Sequence, residues 1–222
     1  MDIAHLIQTV TLYALPVLFA ITVHEAAHGY AARHFGDNTA FLQGRITLNP
    51  LKHIDPVGTI AMPLLLYFAT SGAFLFGYAK PVPVNFNALR NPKRDMVWVA
   101  LAGPASNFAQ AIFWALLLVV LKAMNVEEPF FVKMAQAGIL VNLVMWAFNL
   151  FPLPPLDGGR ILVGLLPWKQ GQMVSRIEPW GFFIVMGLVI AGVVGALWLR
   201  PLMALGYRAI NVLISPLAYL LG

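Results

Sequence analysis

Residues 11–34 read TLYALPVLFAITVHEAAHGYAARH, a long apolar run with a cluster of polar side chains near its end. The apolar run begins upstream, at about residue 3, so it can form a helix that crosses the hydrocarbon core of a bilayer, which takes about 20 residues. His24, Glu25 and His28 lie inside this run. Ionisable side chains are expensive to bury in lipid and therefore mark a candidate functional site. The stretch predicts a membrane-spanning helix that carries chemistry.

The whole chain has the composition of an integral membrane protein. Of its 222 residues, 60% are hydrophobic and 10% are charged, whereas soluble chains carry about 25% charged residues. The six apolar runs predict about five to six membrane helices in a single domain, residues 1–222. The absence of cysteine excludes thiolate ligands, so any metal must be held by His, Asp, Glu or Asn. The runs cover approximately residues 3–32, 57–78, 96–121, 133–151, 179–199 and 201–220.

The distribution of basic residues sets the predicted topology. The Lys and Arg residues (14) outnumber Asp and Glu (9) and cluster between the apolar runs. This is the positive-inside pattern of a membrane protein, and no nucleic-acid partner is expected. The stretches 33–56 and 79–95 are both predicted to be cytoplasmic. The run at 57–78 must then dip in and return as a re-entrant element, which we favour, or cross twice as two short segments. Run 179–199 is then predicted to lead outward and run 201–220 to return.

Two stretches between the runs are predicted to be extended. Residues 39–49, TAFLQGRITLN, are either a plain cytoplasmic loop or a small β element whose free edge could receive an extended substrate segment. Residues 80–85, KPVPVN, are extended by their prolines and either rim the mouth of the candidate site or form a rigid loop. The predicted fold class is an all-α polytopic membrane protein with one re-entrant element and a small membrane-associated β element.

The sequence HEAAH at 24–28 is the strongest chemical signal. Positions i and i+4 lie on one face of a helix, so the imidazoles of His24 and His28 can hold one zinc ion. Glu25 is then placed to act on a water molecule at that ion. The alternative is that these residues are interfacial and merely end the membrane helix.

Asp157 is the candidate for the third protein ligand that a catalytic zinc site requires. It follows the proline-rich FPLPP at 151–155, at the inner end of the run at 133–151. Prolines break a helix, which is tolerated at membrane depth only where the chain is covered by protein or lines a cavity. The predicted topology brings Asp157 to the face and depth of the two histidines. The alternative is a proline-glycine turn in which Asp157 caps the next helix.

Three motifs together resemble the site-2 protease family of intramembrane zinc metallopeptidases, in its short bacterial form without a PDZ or CBS module. They are HEAAH at 24–28, AGPASN at 102–107 and NLFPLPPLDGG at 149–159. The resemblance covers about residues 15–165 and leaves the helices at 179–220 outside the catalytic core.

The resemblance implies a role for six residues. One zinc ion per chain is bound by His24, His28 and Asp157, and Glu25 is the catalytic acid and base. The resemblance further implies that Asn149 holds the substrate or polarises its carbonyl. Asn107 is then a second substrate-side residue or a site-packing residue.

The function that follows is that of an intramembrane zinc endopeptidase, which cleaves membrane-anchored proteins within or near their transmembrane segments, as in regulated intramembrane proteolysis. The resemblance implies a multi-pass protein of the bacterial cell membrane with its active site toward the cytoplasm. Two alternatives stay open: a zinc-binding membrane transporter, and a catalytically silent relative that only binds membrane segments. Glu25 separates hydrolysis from transport, because only hydrolysis needs a carboxylate beside, but outside, the set of ligands.

Overall fold

The computed structural model describes residues 3–62, 64–65, 77–126 and 128–221, with residues 3–6 and 221 described by their backbone alone. The described chain is built from helices joined by short turns. Four single turns of 3-10 or π helix lie between the α-helices: Pro50–Lys52, Pro56–Ala61, Phe86–Ala88 and Gly195–Leu199. The α-helices are α1 (Ile3–His34), α2 (Thr39–Leu42), α3 (Pro92–Ala123), α4 (Pro129–Asn149), α5 (Asp157–Leu165), α6 (Trp168–Ser175), α7 (Glu178–Ile190) and α8 (Arg200–Leu221).

Three long helices, α1, α3 and α4, pack side by side and form the centre of the molecule. α1 and α3 are antiparallel: Ala20 and His24 of α1 contact Asn107 of α3, whereas His28 contacts Val99, earlier in α3. Small side chains at the contacts let the helices approach closely, as is usual in membranes. α8 covers α3 and α4, and these three helices share a buried apolar cluster of Ala111, Trp114, Ala115, Ala135, Ile139, Leu143, Ile210 and Ile214.

Four segments are long and apolar enough to cross a membrane: Ile7–His34, Pro92–Ala123, Pro129–Asn149 and Gly195–Leu220. The count rises to five if α6 and α7, which meet at an angle of 66°, are taken as one span. The prediction of an all-helical polytopic membrane protein is confirmed. The predicted number of five to six spans is not.

α7 differs from the predicted outward crossing over 179–199. It has 13 residues and is therefore about 20 Å long, too short for a hydrocarbon core of about 30 Å. Both of its ends lie near the end of α4. Gly181 lies against the carbonyl of Pro154, and Val189 lines a small cavity together with Phe148.

α8 runs in the direction opposite to the prediction. Trp198, just before α8, donates from Nε1 to the carbonyl of Ala147, near the end of α4, while Ile210 and Ile214 share a cluster with Ala135, near its start. α8 is therefore antiparallel to α4. The chain turns at Gly192, whose φ is +75°, and not at the boundary near residue 200. A π-helical turn leads into α8 and accommodates the proline in its first turn, which lacks an N–H.

No β element is formed in the described residues, and the prediction of one over 39–49 is wrong. Thr39–Leu42 is a helical turn, because the buried Asp37 carboxylate accepts bonds from the N–H and hydroxyl of Thr39. Further along, the Arg45 guanidinium donates to the carbonyls of Lys80 and Pro81. Side-chain hydrogen bonds thus replace the strand ladder that the alternating pattern predicts.

The two ends of the run at 57–78 lie side by side. The N–H of Tyr78 donates to the carbonyl of Gly58, and the hydroxyl of Thr59 donates to the carbonyl of Tyr78. A single helical crossing would separate these ends by about 30 Å. The adjacency of the ends supports the favoured prediction of an excursion that returns to its starting side. Residues 63 and 66–76, where the excursion turns, lie outside the described residues.

Candidate metal centre

His24 and His28 project from one face of α1 at membrane depth. His24 precedes the end of α1 at His34 by ten residues, about 15 Å along the helix axis. Its side chain is almost fully buried, and that of His28 is largely so. The facing residue is Gly103 of α3. A Cβ atom at this position would lie 2.3 Å from His28 Nε2 and 2.6 Å from His24 Cε1. Only glycine leaves the space in front of both imidazoles open.

Asp157 completes a compact group of three ligand atoms. The two Nε2 atoms of His24 and His28 are 3.0 Å apart. Asp157 Oδ2 lies 3.3 Å from each of them. Within the described residues these three side chains form the group of His and acidic residues that could hold a metal ion. The structure thus brings together three residues that are up to 133 positions apart, the difference between positions 157 and 24.

The hydrogen bonds behind the imidazoles determine which ring nitrogens carry protons. His28 Nδ1 lies 2.7 Å from the carbonyl of Val99, which can only accept, so Nδ1 must be the donor. His24 Nδ1 lies 2.6 Å from Asn107 Oδ1, which also accepts. When both imidazoles are neutral, the proton of each ring is therefore on Nδ1, and each Nε2 presents a lone pair to the centre.

This donor set fits a zinc ion. Two imidazole lone pairs and a carboxylate oxygen face one another, and Asp157 Oδ2 is buried without a hydrogen-bond partner. Ligands of a tetrahedral zinc at about 2.0–2.1 Å stand about 3.3 Å from one another, which matches the separations of 3.0 and 3.3 Å. Imidazole bonded through its other nitrogen to a fixed acceptor is the usual arrangement of a zinc ligand. The group would supply three protein ligands, the number that a catalytic zinc site uses.

Asp157 reaches this position because the chain breaks between α4 and α5. α4 ends at Asn149 and α5 begins at Asp157 itself, so the proline-rich turn carries the carboxylate back under α1 and α3. Gly159 makes this turn compact, since a Cβ atom there would lie 2.1 Å from the backbone nitrogen of Pro154. The Asn149 amide donates to the carbonyl of Met145 in its own helix, so in this conformation it is not directed at the three ligands.

Glu25 stands beside the ligand group and is held by the segment at 80–84. Its Oε2 accepts a hydrogen bond of 2.7 Å from the N–H of Val82. Prolines at 81 and 83 flank Val82, so its N–H is the sole backbone donor over these three positions. The KPVPVN stretch therefore rims the candidate site, one of the two predicted alternatives. The particular contact had no signal in the sequence, although the alternating prolines point to a rigid extended segment.

Asn107 contacts Nδ1 of His24, on the side of the ring opposite the Nε2 atom that faces Asp157. It is fully buried, and its Nδ2 donates to the carbonyl of Ala20 and to Asn142 Oδ1, at 3.1 and 3.0 Å. With Oδ1 facing His24, every donor and acceptor group of this amide has a partner. Of the two predicted roles, the site-packing one matches this placement. Sequence reasoning missed Gly103 and the carbonyl of Val99, although Gly103 lies inside the AGPASN motif.

The comparisons with known proteins identify the family of the chain. The profile of peptidase family M50 matches residues 125–192. "Putative zinc metalloprotease YwhC" of Bacillus subtilis is 38% identical over 210 residues, which are 90% of this chain and 90% of that protein. "Putative zinc metalloprotease Rip2" of Mycolicibacterium smegmatis is 31% identical over 175 residues, 78% of this chain and 64% of that protein. No solved structure matches the chain.

The chain belongs to peptidase family M50. The family membership predicted from the three motifs is thereby confirmed. A more distant relative, "Zinc metalloprotease MJ0392" of Methanocaldococcus jannaschii, is 33% identical over 156 residues but is covered over 34% of its length.

Proposed function

We propose that this protein is an intramembrane zinc endopeptidase of the HExxH type that cleaves membrane-anchored proteins within or near their transmembrane segments. The observation that carries the proposal is the convergence of His24 Nε2, His28 Nε2 and Asp157 Oδ2. The carboxylate of Glu25 lies beside these three atoms but is not one of the ligands. The relatives that are named putative zinc metalloproteases support the proposal. The proposal includes one zinc ion per chain, held by these three residues in a single catalytic domain.

The residues of the site divide the work of hydrolysis. A zinc ion, when bound, supplies a Lewis acid that polarises the scissile carbonyl and acidifies water. Glu25 takes a proton from the attacking water and delivers it to the amine nitrogen as the peptide C–N bond breaks. The N–H of Val82 occupies Oε2 of Glu25 and leaves the other carboxylate oxygen for this transfer. Asn149 stays our candidate for a donor to the substrate carbonyl, a role that requires its amide to leave Met145.

The depth of the site determines the class of substrate. His24 and His28 lie about 15 Å and about 9 Å inside the end of α1 that carries Arg33 and His34, so the scissile bond has to reach the same depth. A helical substrate has its carbonyls engaged and must unwind before it is cut. We propose that the protein resides in the cell membrane with this end of α1 toward the cytoplasm, and that its physiological role is regulated intramembrane proteolysis.

Glu25 also argues against the transporter alternative. Zinc transit needs ligands, and the carboxylate of Glu25 lies outside the group of three that could hold the ion. The decisive experiment is purified Glu25→Gln tested on a single-span membrane substrate. We expect cleavage to fall by about 10² to 10⁴-fold, the usual contribution of a general acid–base group, while zinc content stays at the wild-type level.

The matched control is Glu128→Gln, because Glu128 caps the start of α4 at the far end of the helix from the site. It should leave both cleavage and zinc content unchanged. Undiminished cleavage by Glu25→Gln, or a wild-type protein that transports zinc and cuts nothing, would overturn the proposed function.

A further inference from the structure

Asn142 is a buried polar residue that the proposed mechanism does not use. It lies in the middle of α4 and is fully buried. Its side chain does not approach the three ligand atoms directly. It contacts them through one intermediate, the amide of Asn107. A carboxamide at membrane depth is expensive to bury unless all its groups are paired.

We infer that Asn142 is a positioning residue of the metal centre, which acts through Asn107 to hold His24 with its Nε2 lone pair aimed at the metal. The inference rests on the zinc site of the proposed function. It assigns a role to α4, which supplies none of the three ligand atoms.

The direction of every bond in this network follows from one backbone carbonyl. The carbonyl of Gly138 can only accept, so the group of Asn142 that lies 2.9 Å from it must be Nδ2. Asn142 Oδ1 therefore faces Asn107, and the group that meets it at 3.0 Å must be Nδ2 of Asn107. Asn107 Oδ1 then faces His24 Nδ1, which has to carry the proton. These bonds leave Nε2 as the ring nitrogen of His24 that faces Asp157 Oδ2.

Asn142 matters because Asn107 needs two acceptors to keep this orientation. The Nδ2 group has two hydrogens, one for the carbonyl of Ala20 and one for Asn142 Oδ1. Without Asn142, one hydrogen loses its partner at a fully buried position. The amide then gains by rotating or flipping toward other acceptors, since an unpaired buried donor is strongly unfavourable. Either movement weakens the bond that orients His24.

A purely structural role for Asn142 makes a different prediction. A helix–helix hydrogen bond that only holds α3 against α4 would, on removal, lower the stability of the protein and leave the affinity of the intact site for zinc unchanged. A positioning role links the residue to the affinity itself. Outer partners of metal ligands typically change metal affinity by about 10 to 100-fold.

The test uses the full-length protein in detergent micelles and measures zinc affinity by competition with a chelator. Asn142→Leu should weaken zinc binding about 10-fold, and Asn107→Leu more strongly, up to about 100-fold. The double variant should bind zinc no more weakly than Asn107→Leu alone, because Asn142 acts through Asn107. Leu143→Ala is the control, since Leu143 is a fully buried neighbour in α4. It should lower stability without changing zinc affinity.

A second variant and a second measurement keep the inference open to refutation if Asn142→Leu folds poorly. Asn142→Ser can still bond its own helix but lacks the amide oxygen, and we expect the same loss of affinity. In the zinc-free protein, ¹⁵N NMR of the imidazoles should show the Nδ1–H form of His24 in the wild type and a mixture in Asn142→Ser.

Wild-type affinity in both Asn142 variants, or additive losses in the double variant, would overturn the inference. Because the NMR measurement needs no metal, it distinguishes a failure of this inference from a failure of the proposed function. The latter would appear as a wild-type protein that binds no zinc.

Discussion

At the scale of single residues, each histidine of the centre uses one ring nitrogen for support and offers the other to a metal. His28 is supported by a backbone carbonyl of α3 and His24 by the amide of Asn107. As a result, the Nε2 atoms of the two rings lie 3.0 Å apart and both face Asp157 Oδ2. The missing side chain at Gly103 is as important as the side chains around it, because a Cβ atom there would lie 2.3 Å from His28 Nε2.

Replacing a ligand should abolish binding of the metal. His24→Ala removes one of three ligand atoms, and we expect purified protein to contain little or no zinc by metal analysis. His34→Ala is the matched control, because His34 is an exposed residue at the end of the same helix, and it should retain the wild-type zinc content. Full zinc occupancy in His24→Ala would remove this residue from the ligand set.

Gly103→Ala should also disturb the metal, although it alters no ligand. The new methyl group would stand 2.3 Å from His28 Nε2, so one or both imidazoles must move. We expect zinc affinity to fall at least about 10-fold, measured by chelator competition. Gly187→Ala in α7 should have no effect on zinc, since no atom lies within 4 Å of the added carbon. Unchanged affinity in Gly103→Ala would mean that the site has more room than the structure shows.

At the scale of elements, the extended segment at 80–84 connects the candidate base to the part of the chain that precedes the run at 57–78. Its carbonyls at 80 and 81 are held by Arg45, and the N–H of Lys80 donates to the carbonyl of His53. Val82 is buried and presents its N–H to Glu25. The segment follows directly on the run at 57–78, so the position of Glu25 is coupled to where that run returns.

Removing the single donor of this segment should impair catalysis and spare the metal. Val82→Pro deletes the N–H that holds Glu25, and loss of a hydrogen bond to a charged group lowers cleavage by about 10 to 100-fold. Val82→Ala keeps the N–H and controls for the smaller side chain. Zinc content should be unchanged in both variants. Equal cleavage rates in Val82→Pro and Val82→Ala would show that this bond does not position the base.

At the scale of the whole molecule, four long apolar helices, each a candidate membrane span, make the main packing contacts. α1, α3, α4 and α8 alternate in direction, and the ends of the run at 57–78 are joined by hydrogen bonds. α5 packs against α3, and both ends of α7 lie near the end of α4. The exposed apolar side chains of these helices, such as Phe113, Phe183 and Leu197, suit a surface that faces lipid.

Cysteine labelling can test this arrangement, because the natural chain contains no cysteine. Lys52→Cys and Arg94→Cys lie at exposed positions on either side of the run at 57–78 and should react with an impermeant reagent from the same face of the membrane. Tyr219→Cys, near the exposed end of α8, should react from the opposite face. The unmodified chain serves as the blank. Labelling of positions 52 and 94 from opposite faces would contradict the returning excursion.

The sequence predicted the parts of the site that depend on short-range geometry. His24 and His28 share a face because they are four residues apart on a helix. The turn before Asp157 could be predicted because its prolines are evident in the sequence. The prediction of a β element at 39–49 was wrong because the carboxylate of Asp37 binds the N–H of Thr39 and fixes a helical turn there. The alternating pattern of residues does not show this contact. The predicted direction of α8 was wrong because the pattern of apolar runs does not show that the chain turns at Gly192, which has a positive φ.

The sequence by itself determined the membrane class through its composition and the pair His24 and His28 through their helical spacing, while the family and the candidate ligand Asp157 came from the resemblance of three motifs. Only the tertiary structure decided that Asn107 supports His24, that Val82 holds Glu25, and that Gly103 keeps the metal position open. Each of these contacts joins residues far apart in the chain, 83 positions for His24 and Asn107 and 57 for Glu25 and Val82. The contact of His24 with Asn107 is set by how two antiparallel helices pack, which depends on the shape of whole helix faces and not on any short pattern of residues.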